Sequence, residues 1–276
     1  MMQYREGIFK SQSLSEAVKE EMLLNGVWRE GCPVGLDRLR LITFSYWDFN
    51  GQQQNDGELV ILDAAALRVI QIFRKLHEVK FPIGQAHRIE IYKGCDETSL
   101  EKNNTCAFNY RPIVGGSLIS IHSYGLAIDV NPIQNPYLGF KDEASRINGQ
   151  LRILPAEGRD YLNRTKIRSG MVEPIVDIFK KNGFSVWGGE WNDPLDWQHF
   201  QPSRAMAQLL SIMTSEDALA IFELYAEKKY LFNTWDFNNH FIEELYKEDS
   251  QKFMHMFTTN LEILDMRPDV FVKAWK

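Results

Sequence analysis

The sequence predicts an α+β fold: a small antiparallel sheet with flanking helices, followed by a C-terminal helical appendage. Three features carry this reading. Short β-prone runs recur at Leu39–Tyr46, Arg88–Lys93, Leu126–Val130 and Phe184–Trp187. Two amphipathic stripes interleave with them at helical spacing, Val69, Ile72, Phe73, Leu76 and Val172, Ile175, Val176, Phe179. After Gln201 the strand signals fade and helical periodicity continues to the end.

Taken in order, Ser13-Leu-Ser-Glu16 reads as a capping box opening a helix that stops at Asn25-Gly26. In Leu39–Tyr46, Ile42, Phe44 and Tyr46 share one face of a strand. Asp63 is placed to cap the first amphipathic helix, and His77 falls in its last turn as a structural cation facing the dipole. Residues 94–118 carry turn formers throughout and read as a long functional loop. Lys180-Lys181 close the second helix, Asn182-Gly183 stops it, and Gly188-Gly189 breaks the strand that follows. In the tail, Thr214-x-x-Asp217 is another capping box. Two stripes, Leu219, Phe222, Ala226 and Phe237, Phe241, Leu245, ask for a protein surface to pack on. The chain therefore divides into an N-terminal helical segment (1–24), a central domain (25–205) and a helical appendage (206–276).

Composition narrows the function classes. The 276 residues, 44% hydrophobic and 25% charged, suffice for a sizeable core, so a disordered or low-complexity role is set aside. No run approaches the ~18 apolar residues of a membrane span. A net charge of −6 argues against binding nucleic acid through phosphate contacts. The appendage holds 12 acidic and 7 basic side chains, and so carries nearly all of that excess. Such a segment would be repelled by anionic polymers, which favours docking on the central domain over anchoring to one of them. Cys32, Cys95 and Cys106 are too few and too scattered for a disulfide scaffold or a thiolate zinc cluster. Cys95 and Cys106 could pair in an exported protein, or remain free thiols.

Two segments carry the chemistry. In Ser120-Ile-His-Ser-Tyr-Gly-Leu-Ala-Ile-Asp129, Leu126, Ile128 and Val130 form the apolar face of a strand. The opposite face bears only Gly125, Ala127 and the carboxylate of Asp129. Gly125 lets the chain turn so that His122 converges on Asp129. In Trp187–Phe200, His199 begins a short strand three residues after Asp196. Hydrolytic zinc takes three ligands from His, Asp and Glu and keeps a fourth position open, and His122, Asp129 and His199 supply that set. Asp196 is then free to act as base, with Glu190 and Asp193 as alternatives. Trp187 and Trp191 are substrate walls or ordinary packing around the glycine pair. No G-x-S-x-G elbow and no recognisable catalytic cysteine motif points to a nucleophilic hydrolase.

The pattern S-x-H-x-x-G-x-A-x-D followed by W-G-G-x-W and D-x-x-H-F resembles the zinc D-Ala-D-Ala carboxypeptidases of the VanY type. It also resembles their relatives the L-alanyl-D-glutamate endopeptidases and, more distantly, the Hedgehog signalling domain. Trp28–Trp47, Asn103–Arg111 and Asn131–Tyr137 share in the likeness, which spans roughly residues 25–205. The resemblance implies a zinc peptidase domain with one Zn²⁺ on His122, Asp129 and His199, and hydrolysis of peptidoglycan stem peptides by metal-activated water. It places Asp196 as catalytic acid or base, Arg111 facing the scissile carbonyl, and Ser120 near the substrate's polar end. Carboxypeptidase and endopeptidase action both remain open. The Hedgehog likeness admits a rival, a catalytically silent zinc-containing binding module, against which the retained Asp196 and Arg111 speak. Met1–Gly26 has no basic start, apolar core or A-x-A site. The expected location is thus periplasmic or cell-wall associated if a signal has been removed, and cytoplasmic otherwise.

Overall fold

The computed structural model describes residues 7–113, 118–227, 240–259 and 275. Its strands form several small sheets rather than one. The first is an antiparallel meander of β1 (Phe9–Ser13), β2 (Leu39–Trp47) and β3 (Gln53–Leu62), with α1 (Glu16–Leu24) between β1 and β2. Ser15, not Ser13, caps α1 by accepting from Val18 N. Helix α2 (Ala66–Glu78) covers the meander and buries all of Val69, Ile72, Phe73 and Leu76, as the stripe requires. Phe73 meets Phe44 of β2 with ring centroids 4.0 Å apart.

Asp63 does not cap α2 directly. A 3₁₀ turn, Asp63–Ala65, intervenes, and the carboxylate is taken by Arg38 at 2.8 and 3.0 Å. His77 is structural in a different sense from a dipole-facing cation. It stacks on Trp47, and burial holds its pKa below the ordinary value.

The expected strand at Arg88–Lys93 is a 3₁₀ turn, Ile89–Tyr92, closed by Lys93 in the left-handed region at φ 54°. The run 94–118 is not wholly loop either. It contains α3 (Asp96–Glu101) and β5 (Asn104–Thr105), which pairs in parallel with β4 (Gln85–Ala86).

Two further antiparallel sheets follow. One joins β6 (Ile128–Asp129), β11 (His199–Gln201) and β9 (Val186–Trp187). The other joins β10 (Leu195–Asp196), β7 (Tyr137–Gly139) and β8 (Arg152–Leu154), with α4 (Glu143–Ile147) between β7 and β8. Helix α5 (Val176–Lys181) runs into Asn182 as forecast and buries Phe179, which stacks on Phe200 at 4.0 Å.

The loop after β6 is locked by two buried amides. Asn131 donates to the carbonyls of Pro82 and Gly170 and accepts from Gly84 N. Asn135 donates to the carbonyls of Val130, Asn131 and Gly170 and accepts from Val172 N and Arg164. Satisfied buried amides of this kind fix one arrangement of the chain, here immediately beyond Asp129.

Helices α6 (Arg204–Ile212), α7 (Ser215–Glu227), α8 (His240–Glu248) and α9 (Ser250–Thr259) make up the described part of the tail. Thr214 caps α7 by accepting from Asp217 N. The buried face of α7 is Ala218, Ile221, Phe222, Tyr225 and Ala226, so the expected stripe is shifted and Leu219 lies at its edge. In the second stripe Leu245 is buried, whereas Phe237 and the side chain of Phe241 lie outside the described residues. These helices share one continuous core with the rest of the chain. They are also fastened by ion pairs and hydrogen bonds, Arg68 to Glu223 and Arg38 to the carbonyls of Met213 and Leu210. Helix α6 begins at Arg204, two residues before the expected boundary.

Candidate functional site

Cross-strand pairing brings the first two site residues together. In the register of β11 against β6, His199 stands directly opposite Asp129. Directly opposed residues have Cβ atoms about 5 Å apart, close enough for an imidazole to meet a carboxylate. His199 Nδ1 lies 2.9 Å from Asp129 Oδ1.

His122 arrives from a 3₁₀ turn, Ile121–Tyr124, whose N-cap Ser120 accepts from His122 N. Gly125 ends the turn at φ +66°, and a Cβ there would meet Leu62 N at 2.7 Å. The position therefore needs glycine twice over, for its backbone region and for the close approach to β3. With the turn so placed, His122 Nε2 lies 3.2 Å from Asp129 Oδ2 and 3.3 Å from His199 Nδ1. All three residues are buried, and one ligand atom from each falls within 4.8 Å of the others.

The donor set fits a zinc ion, and the test is what the outer nitrogens do. His122 Nδ1 is taken by the carbonyl of Ala107, and His199 Nε2 by Gln201 Oε1 at 2.6 Å. Each ring's outer nitrogen thus faces an oxygen that can accept its N–H, which leaves the inner nitrogen, once deprotonated, to offer its lone pair to a metal. Gln201 sits two residues from His199 on the same strand and so shares its face. That period-2 relation was open to sequence reasoning and not drawn.

Charge in the cluster is balanced internally. Burial works against the Asp129 carboxylate, but His122 and His199 outweigh it and hold the group far below the usual carboxylate range. Burial likewise opposes a cationic His199, and the hydrogen bond and charge of Asp129 overcome it, raising the imidazole to about 8.

The cluster opens on a cleft of about 660 Å³. Asp196 lines it from β10 with a buried Oδ1 that no described group satisfies. Burial first, then the charge of Asp129, push this carboxyl up to about 7. Gly188 is the reason it sits there: the backbone of the 3₁₀ turn Gly188–Glu190 lies so close to Asp196 that a Cβ would overlap its carbonyl. The alternatives are engaged elsewhere. Glu190 pairs with Lys180, and Asp193 pairs with Arg146.

Arg111 also lines the cleft, its guanidinium held by Asp96 at 2.8 Å while Nε has no partner. Sequence reasoning missed Asp96. Its only local role is in the first turn of α3, and nothing near it in the chain announces a partner at Arg111.

Ser120 is on the cleft wall as well as capping the His122 turn. The tryptophans separate: Trp191 lines the cleft and lies 5.4 Å from the His199 ring, whereas Trp187 stacks on Phe200 and donates to the Trp197 carbonyl. The small face at Ala127 is not an open floor. Ala127 is fully buried, and the floor is made by the Ser120–His122 turn and β11. The three cysteines are free.

Residues 114–202 match the family described as D-alanyl-D-alanine carboxypeptidase. No curated protein and no solved structure matches the chain. The matched segment contains His122, Asp129, Asp196 and His199, and it supports a peptidase. Among the described residues no helix is long and apolar enough to cross a membrane.

Proposed function

We propose that the chain is a zinc peptidase acting on peptidoglycan stem peptides, with His122 Nε2, His199 Nδ1 and the Asp129 carboxylate as ligands. The observation that carries this is the inward convergence of those three donors, with both outer imidazole nitrogens tied to oxygens. Zinc in such a site supplies Lewis acidity, making water nucleophilic near neutral pH and polarising a carbonyl.

The chain's own residues supply the rest. Asp196, whose buried Oδ1 faces the cleft without a partner among the described residues, takes up a proton and returns it to the departing amine. Arg111, steadied by Asp96, holds positive charge at the carbonyl oxygen where negative charge develops. A binding module without hydrolysis would need neither a carboxyl with a poised proton nor a buttressed arginine on the cleft wall. The match to a carboxypeptidase family favours removal of a C-terminal D-amino acid, and an internal L-Ala-D-Glu bond is the second reading.

Metal analysis tests the ligand set. The parent is expected to carry about one zinc per chain, as three-ligand sites of this type do. His122→Ala and His199→Ala should each lose most of it. Full zinc retention in both variants would overturn the assignment.

A further inference from the structure

The family match ends at residue 202, and the next cleft residue after Gln201 is Arg204, in the first turn of α6. Among the described residues three arginines line the cleft. Arg111 is paired with Asp96, and Arg146 with Asp193 and Glu143. Arg204 pairs with no carboxylate among the described residues. Its guanidinium is anchored instead on the Ile119 carbonyl, with Nη1 at 2.8 Å. Among the described residues that anchor leaves most of its five N–H donors unused.

Two features make Arg204 a poor choice for stability alone. A cation in the first turn of a helix lies at the positive end of the dipole, where it is disfavoured. The side chain is also half-buried, so it loses hydration without gaining a counter-charge. Burial pulls its pKa down, with only the Tyr124 phenol opposing. A desolvated guanidinium with free donors on a cleft wall is completed by an anion, and its planar fork suits a carboxylate. The hydroxyl of Ser120, which accepts from His122 N and keeps its own proton to donate, adjoins the Ile119 anchor on the same wall.

We propose that Arg204 is a specificity-determining residue that binds a carboxylate of the substrate beside the scissile bond. This rests on the peptidase reading, and it gives α6 a part in choosing the substrate. The carboxylate is either a free C-terminus or an acidic side chain, and the two can be told apart.

The test is equilibrium binding to the zinc-loaded full chain, with hydrolysis followed in the same samples by mass spectrometry. The probes are acetyl-L-Lys-D-Ala-D-Ala as free acid, its C-terminal amide, and an amide-ended L-Ala-D-Glu peptide beside its D-Gln counterpart. The parent should prefer a carboxylate-bearing probe over its amide match by about tenfold or more, the scale of a charge-assisted contact. In Arg204→Gln that preference should fall to near parity, and in Arg204→Lys it should be partly kept. Zinc content read on each variant separates a lost carboxylate contact from a collapsed His122 turn. Preference in the acid/amide pair assigns the C-terminus as the source, and preference in the D-Glu/D-Gln pair assigns the side chain. Either one supports the proposal. A parental preference that survives Arg204→Gln, or no carboxylate preference in either pair, overturns it. Binding that depends on Arg204 while every probe is recovered uncut would support the carboxylate contact of Arg204 and tell against the peptidase reading, so the two fail distinguishably.

Discussion

Zinc binding at this site should be a proton-exchange reaction, and the structure sets its size. In the metal-free cluster His199 donates from Nε2 to Gln201 and lies 2.9 Å from Asp129 through Nδ1, an arrangement that favours the doubly protonated ring. Its pKa of about 8 reports that preference. Coordination through Nδ1 needs the proton gone. With a pKa of about 8, only about 1% of His199 is neutral at pH 6, and about half is neutral at pH 8. Apparent zinc affinity should therefore be about 50-fold weaker at pH 6 than at pH 8, with close to one proton released per zinc at pH 7. Competition against a chromophoric chelator of known pH dependence gives the affinity, and binding in weakly buffered indicator solution gives the proton count. An affinity flat within about threefold over that range, with no proton release, would refute the account of His199.

Other outcomes follow from the same geometry. Without metal, the raised pKa of His199, from 6.5 to about 8, stabilises the fold by about 2 kcal/mol. That contribution is fully present below pH 6.5 and lost as pH rises through 8, so the urea midpoint of metal-free protein should fall between these values while that of zinc-loaded protein does not. Asp196→Asn keeps the size of the side chain and removes its basicity; zinc should stay and hydrolysis should drop by roughly 10²-fold or more. Near-parental turnover in that variant would move the proton-transfer role to another group. Arg111→Ala should keep zinc and lower kcat, and Asp96→Asn should do the same more mildly by loosening the guanidinium.

Much of the geometry of the candidate metal site was legible because its causes are local. Gly125 marks a turn that only glycine can make against β3, and the interval from His122 to Asp129 is what that turn and the short β6 need. The cap of α7 and the stop at Asn182 were likewise written in adjacent residues, whereas α1 is capped by Ser15 and not by the expected Ser13.

What was not legible depends on distant partners. Ile89 and Ile91 alternate as a strand would, yet Ile89 is buried and Ile91 is 57% exposed. Arg88 reaches Glu58 and Glu21 on two other elements, and those contacts favour the 3₁₀ turn. Asp63 looked like a cap because its true partner, Arg38, lies 25 residues earlier. Asp96 and Arg204 escaped notice for the same reason, since one acts across a loop and the other from the start of a helix whose periodicity announces only its buried face.

The central claim is that this cleft hydrolyses stem peptides. The direct measurement is to incubate the zinc-loaded chain with muropeptides of defined stem length and weigh the products. The account predicts products lighter by a D-amino acid from the C-terminus, or by a longer fragment if the internal L-Ala-D-Glu bond is the one cut, with neither formed by Asp196→Asn. Muropeptides returned at unchanged mass by fully zinc-loaded protein would contradict it.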